Sequence, residues 1–153
     1  MPYLQYLDLA NNSMDLNVQF DNEQFPNLFF LYLSGNNVLS FPGKSLKNTV
    51  QDLGVARCNL HALPLYLSEF KVLVYFDARN NNISTVDSDL KVLIKSNKIE
   101  SYFSNNVVCK SDKSIDCKPL CSKYCWSRNA LKNGKCDITC NTESCNFDGG
   151  ECK

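Results

Sequence analysis

No apolar run in this chain approaches the roughly 20 residues that a bilayer-spanning helix needs, so nothing in it reads as a membrane span. Excess charge is missing too. Sixteen Lys and Arg face sixteen Asp and Glu, which removes the basic surface of a nucleic-acid binder and the polybasic patch of a membrane anchor. Histidine is limited to His61, so a thiol or hydroxyl nucleophile has almost no base to work with. Met1 to Ala10 lacks the basic segment and apolar core of a signal peptide. The first hundred residues hold one cysteine, Cys58.

The other eight cysteines crowd between Cys109 and Cys152. A block that is short and polar buries little apolar surface and needs covalent staples, and dense disulfides persist in oxidising compartments. This predicts an extracellular or secreted protein, against an N-terminus that does not look like a leader. Two expectations reconcile the conflict: an unusual export route, or a true start upstream. A total of 153 residues, 44% hydrophobic, suits a small repeat array followed by a stapled mini-domain.

Apolar residues recur with a fixed spacing in the front part. Leu4, Leu7, Leu9, Asn12 and Met14 are followed by Leu28, Leu31, Leu33, Asn36 and Val38. Then come Val50, Leu53, Val55, Cys58 and Leu60, and Leu73, Phe76, Ala78, Asn81 and Ile83. A weaker fifth set rests on Phe103, Asn106 and Val108. The Asn/Cys position advances by 24, 22, 23 and 25 residues. This pattern resembles the leucine-rich repeat. It predicts an α/β-type solenoid with a parallel sheet on its concave face and an irregular or short helical convex side. In each repeat the leucines of a short strand point inward, and the Asn serves the backbone where the chain bends away. Cys58 is read as a ladder residue and His61 as a solvent-facing loop residue. Phe41-Pro42, Leu63-Pro64 and Val86 are expected to plug the convex side. The first strand begins abruptly at Met1-Pro2-Tyr3-Leu4, with no capping segment, so further repeats are expected upstream.

Strand residues beside the inward leucines should form the ligand surface. One column holds Tyr6, Phe30, Asp52 and Tyr75, the next Asp8, Tyr32, Gly54 and Asp77, and the third Ala10, Ser34, Ala56 and Arg79. Of these, Tyr6, Asp8, Phe30, Tyr32, Asp52, Tyr75, Asp77 and Arg79 are the candidate contacts, since Tyr and Phe offer large area at low entropic cost. The plainer account is that β-propensity alone favours such residues in strands. Asn11 and Asn82 head N-glycosylation sequons, and each adjoins a ladder Asn.

The tail reads Cys121-Ser-Lys-Tyr-Cys125-Trp, then Asn133-Gly-Lys-Cys-Asp-Ile-Thr-Cys-Asn, then Cys145-Asn-Phe-Asp-Gly-Gly-Glu-Cys152. It resembles the Notch-type repeat, a calcium-binding disulfide module with little regular secondary structure. The resemblance implies the pairs Cys121–Cys145, Cys125–Cys140 and Cys136–Cys152, which counting could not choose among the 15 that six cysteines allow. Cys109 and Cys117 remain, either closing a small loop at the end of the solenoid or letting Cys117 compete with Cys121. The Cys spacings lack the pairs expected for zinc. The resemblance places calcium (Ca2+) ligands at Asn133, Asp148 and Glu151, with a backbone carbonyl near Lys135. Glu151 stands where the family usually has Asp, and a further family carboxylate falls near Asn129 or Ala130, so weaker binding is expected. The rival account is that Asp148 and Glu151 simply solvate a disulfide knot.

The domains expected are therefore 1-108, a capping linker 109-120, and 121-153. The function expected is extracellular binding or scaffolding of a protein or glycan ligand rather than catalysis. The alternative is the truncated ectodomain of a leucine-rich-repeat transmembrane receptor.

Overall fold

The computed structural model describes residues 1–17, 20–97, 99–117, 121–122, 125 and 134–152. The chain divides into two compact units, Met1–Cys117 and Lys118–Lys153. The stretch expected as a linker is thus split, with 109–117 belonging to the first unit.

In the first unit, strands β1 (Tyr6–Asp8), β3 (Phe30–Tyr32), β5 (Asp52–Gly54), β6 (Tyr75–Asp77) and β7 (Glu100–Tyr102) form one sheet in that order, every neighbour parallel. β2 (Asp15–Leu16) and β4 (Asn37–Val38) form a second, two-stranded parallel sheet. Tyr6 lies in register with Phe30, Asp52, Tyr75 and Glu100 in turn. The weak fifth copy of the motif therefore carries a strand of its own.

The period-2 geometry of a strand turns alternate side chains to the same side. Leu31, Leu53 and Phe76 at the strand centres, and Leu33 and Ala78 two residues on, are fully buried. The returning segments supply the opposing layer. Lys44–Asn48 and Leu65–Glu69 are short 3-10 turns that bury Leu46 and Leu67. The next return is a true helix, α1 (Ser88–Ser96), whose N-cap Asp87 accepts a hydrogen bond from Asp89 N at 2.8 Å. Leu90 and Leu93, three apart on one face, enter the core. Past β7, helix α2 (Val108–Ser111) and the Cys109–Cys117 disulfide bring Ile115 against the core. At the opposite edge Leu4, Leu7 and Leu9 remain only half-buried.

The turn leaving each strand is satisfied by one side chain. Asn36 Nδ2 donates to Leu33 O at 2.9 Å and to Leu9 O of the preceding segment at 2.8 Å, while its Oδ1 accepts from Met14 N at 3.0 Å. Asn81 donates to Ala78 O and Val55 O and accepts from Cys58 N and Leu60 N, all within 3.0 Å. Asn106 repeats this with Phe103 O, Ala78 O and Ile83 N. Cys58 Sγ points at Leu33 O and Ala56 O, both at 3.4 Å. A thiol offers no strong acceptor, and Val38 N turns instead to Cys58 O at 3.2 Å. The turns also need left-handed backbone, at Asn11, Gly35, Arg57, Asn80 and Asn105. A Cβ on Gly35 would sit 2.5 Å from Asn11 Oδ1, the atom to which Arg57 Nη2 donates at 3.0 Å. Glycine here lets Arg57 reach across one segment to the next.

Asn81→Ala should cost about 2–4 kcal/mol in urea unfolding, because interior amides and carbonyls on two segments lose their partner. Asn12→Ala should cost less than about 1 kcal/mol, since Asn12 is exposed and donates to Leu9 O and Ala10 O of its own turn. Equal costs for the two would contradict the bridging role.

Candidate functional site

The outward face of the large sheet gathers the residues singled out from the sequence, but not as a uniformly open row. Tyr6 is 54% exposed and Asp8 is exposed, while Phe30, Tyr32 and Arg79 are half-buried. Asp52, Tyr75 and Asp77 are buried, at 7%, 4% and 6% exposure. Expecting these three to stand out as surface contacts takes no account of the rings on neighbouring strands. Tyr6 packs on Phe30 and Tyr32 with centroids 6.0 and 5.6 Å away, and Tyr75 packs on Tyr102 at 5.8 Å.

Each buried carboxylate on this face has a specific donor. Tyr32 Oη donates to Asp52 Oδ2 at 3.2 Å. The Tyr32 ring leans across β5 to reach it, over Gly54, where a Cβ would lie 2.8 Å from Tyr32 Cδ1. Asp77 receives a two-pronged pair from Arg79, Nε at 2.8 Å and Nη2 at 2.6 Å, and the guanidinium lies 5.6 Å from the centre of the Tyr102 ring. Tyr102 Oη in turn donates to Glu100 Oε1. Glu100 and Tyr102 were missed as face residues, although counting back from Asn106 by the strand spacing would have placed them in the columns.

Desolvation first, and then the nearby carboxylates, raise the ionisation of Tyr32, Tyr75 and Tyr102 well above the ordinary 10.0. The hydroxyls of Tyr32 and Tyr102 are therefore held as neutral donors. Tyr6 is raised as well, by burial and then by the charge of Asp8. Burial pushes the Cys58 thiol up to about 11, so it is protonated at neutral pH and poorly placed to act as a nucleophile. His61 is exposed, as are the sequon residues Asn11 and Asn82.

The second unit is built on sulfur. Its disulfides are Cys121–Cys145, Cys125–Cys140 and Cys136–Cys152, and Cys125, Cys140 and Cys145 form its small buried core. The sulfurs of Cys121, Cys125 and Cys145 lie within 4.8 Å of one another, yet all are oxidised and offer no thiolate to a metal. The oxygens are more informative. Asp148 is fully buried; its Oδ2 accepts from Asp137 N at 2.7 Å, and its Oδ1 has no hydrogen-bond partner among the described residues. Asn146, Phe147, Asp148, Gly149 and Gly150 are all left-handed, with φ between 51° and 103°. Gly, Asn and Asp tolerate that conformation, whereas it costs Phe147 about 1–2 kcal/mol. Glu151 Oε1 accepts from Gly134 N at 2.6 Å, which ties the same turn to the start of the Cys136 segment. Lys135 is exposed, and Asn133 lies outside the described residues. A buried carboxylate oxygen with no hydrogen-bond partner among the described residues is costly, and an oxygen-seeking cation is one means of satisfying it.

Residues 115–153 match the family model described as Notch: LNR domain. No curated protein matches the chain. About a quarter of the chain is thus similar to a known disulfide domain, and the disulfides of that region together with this likeness fit an extracellular location. No helix of the described residues is long and apolar enough to cross a membrane.

In an alkaline absorbance titration, the ionisation of Tyr32 should move down on Asp52→Asn while that of Tyr75, which owes its shift to burial and Asp77, stays in place. Because the folded values are raised, the face tyrosines should leave stability unaltered below about pH 10 and erode it above, where the unfolded chain ionises first. Thermal melts from pH 9 to 11 should therefore fall progressively, and a flat profile would show that these hydroxyls are not held neutral by the fold.

Proposed function

We propose that the chain is an extracellular binding or scaffold module rather than an enzyme. In this reading the first unit is a leucine-rich-repeat solenoid whose concave sheet face recognises a protein ligand, and the second is a calcium-stabilised Notch-type repeat. Support for the repeat reading comes from the sequential parallel sheet, the constant register and the Asn side chains that bridge adjacent segments. The observation that carries the binding role is the face itself: aromatic rings and carboxylates run across five strands on the side away from the core. Tyrosine-rich surfaces with a few fixed polar groups are well suited to protein recognition.

The calcium reading rests on Asp148. Burying a carboxylate oxygen with no donor is costly, and a divalent cation bound by oxygen ligands removes the cost. Calorimetry on the full chain should show saturable calcium binding, weakened by at least about tenfold in Asp148→Asn. Oxidative refolding with a chelator present should lower the yield of correctly paired protein. No calcium heat together with unchanged refolding would leave Asp148 and Glu151 as solvating groups of a disulfide knot.

For the face, a photo-crosslinking residue at Tyr6 and another at the exposed convex position Val92 should be compared against a panel of purified secreted and receptor ectodomains. Cross-linking to the same protein from position 6, absent from position 92 and lost on Tyr32→Ala, is the expected result. Equal labelling from both positions would remove the face from consideration.

A further inference from the structure

One arrangement occurs twice on the sheet face, and only one copy is complete. Asp77 on β6 stands in register with Tyr102 on β7, just as Asp8 on β1 stands in register with Tyr32 on β3. Both aspartates make the same local turn: Arg79 N donates to Asp77 Oδ1 at 3.1 Å, and Ala10 N donates to Asp8 Oδ1 at 2.8 Å. In the β6–β7 copy, residue 79 is arginine, which clamps Asp77 through two nitrogens and lies over the Tyr102 ring. In the β1–β3 copy the equivalent residue is Ala10, which brings no guanidinium to Asp8 and Tyr32.

We infer that the Asp8–Tyr32 end of the face receives an arginine side chain from a partner protein, held as Arg79 is held at the other end. This rests on reading the sheet face as a ligand surface. Charge agrees with the geometry. The three columns of the face carry the carboxylates of Asp8, Asp52, Asp77 and Glu100 against the single cation Arg79, which is engaged by Asp77. Arg57, the next basic group along the turns, donates to Asn11. Tyr6, 54% exposed and 5.6 Å from Tyr32 between centroids, offers a second ring to the incoming cation. Planar guanidinium suits this place better than ammonium, since it can fork onto a carboxylate while stacking on an aromatic ring.

The test is an NMR titration of the full chain with the peptide acetyl-Gly-Arg-Gly-amide, with the uncharged citrulline peptide of the same shape as its partner experiment. Expected are saturable shifts at Tyr6, Asp8 and Tyr32, an affinity for arginine about tenfold above that for citrulline, and a loss of several-fold in Asp8→Asn. Ala10→Arg should supply the guanidinium internally and abolish the peptide shifts while leaving the amide spectrum of the core unchanged. The unchanged core spectrum of that variant is what separates loss of binding from unfolding. Equal binding of the arginine and citrulline peptides, or arginine binding that Ala10→Arg leaves intact, would overturn the inference while the face as a ligand surface stands. No saturable shift at any face residue with either peptide would also overturn it, and the cross-linking comparison from position 6 then decides the broader reading separately.

Discussion

The first unit depends on how the backbone is satisfied where each strand ends. A chain that returns every two dozen residues to start a new parallel strand must bend inside the molecule, and each bend strands amides and carbonyls away from water. Asn36, Asn81 and Asn106 meet this demand with two donors and an acceptor apiece, and each reaches the segment before its own. The bond that closes one turn therefore also fixes the spacing of the next. Register, strand order and the burial of the central leucines follow from this coupling. Cys58 shows its tolerance: a thiol fills the space and reaches two carbonyls, and the amide it cannot serve finds the backbone oxygen of Cys58 itself.

The second unit solves the opposite problem. Among its described residues the buried core is cystine packed against cystine, which fixes its turns covalently. Such a core has room for a polar group only where the fold supplies partners. Asp148 enters it with one oxygen on a backbone amide and the other without a hydrogen-bond partner among the described residues, at the centre of a left-handed turn in which Phe147 is the misfit. Under the calcium reading proposed above, a cation drawn to the carboxylate would also hold the turn that presents it.

Much of the first unit was legible because its signals are periodic. Leu28, Leu31, Leu33 and Asn36 name the inward positions and the bend, and the same letters recur at nearly constant steps. β7 was faint because Ser101 stands where Leu31, Leu53 and Phe76 stand in the other strands, so its strand lacks the apolar centre that marks the rest. Helix α1 was not distinguished from the 3-10 returns, although Asp87 and the pair Leu90 and Leu93 carry a helical start and face. The burial of Asp52, Tyr75 and Asp77 could not be read from any column, because it is produced by rings on adjacent strands leaning sideways. The place of Gly54 in its column is explained by the Tyr32 ring lying over it, which the sequence does not indicate.

Because the Asn side chains satisfy the bends from within, residues on the outward face are free of that structural demand. Asp8 and Asp77 each accept a backbone amide two residues on, and burying a carboxylate on a sheet carries a cost unless a donor accompanies it. Arg79 and the Tyr32 hydroxyl are such donors, each reached by a side chain bending along or across the strands. Asp8 shares the local turn of Asp77 but stands on the exposed edge strand, where water bears part of its solvation. The two aspartates thus occupy the same geometry with different means of paying for charge, one intramolecular and one open to solvent. As proposed, a guanidinium arriving at Asp8 would meet an exposed carboxylate, whereas at Asp77 it would first have to displace the Arg79 clamp. Within the proposal, the β1–β3 end is the receptive one because the β6–β7 carboxylate is already clamped by Arg79.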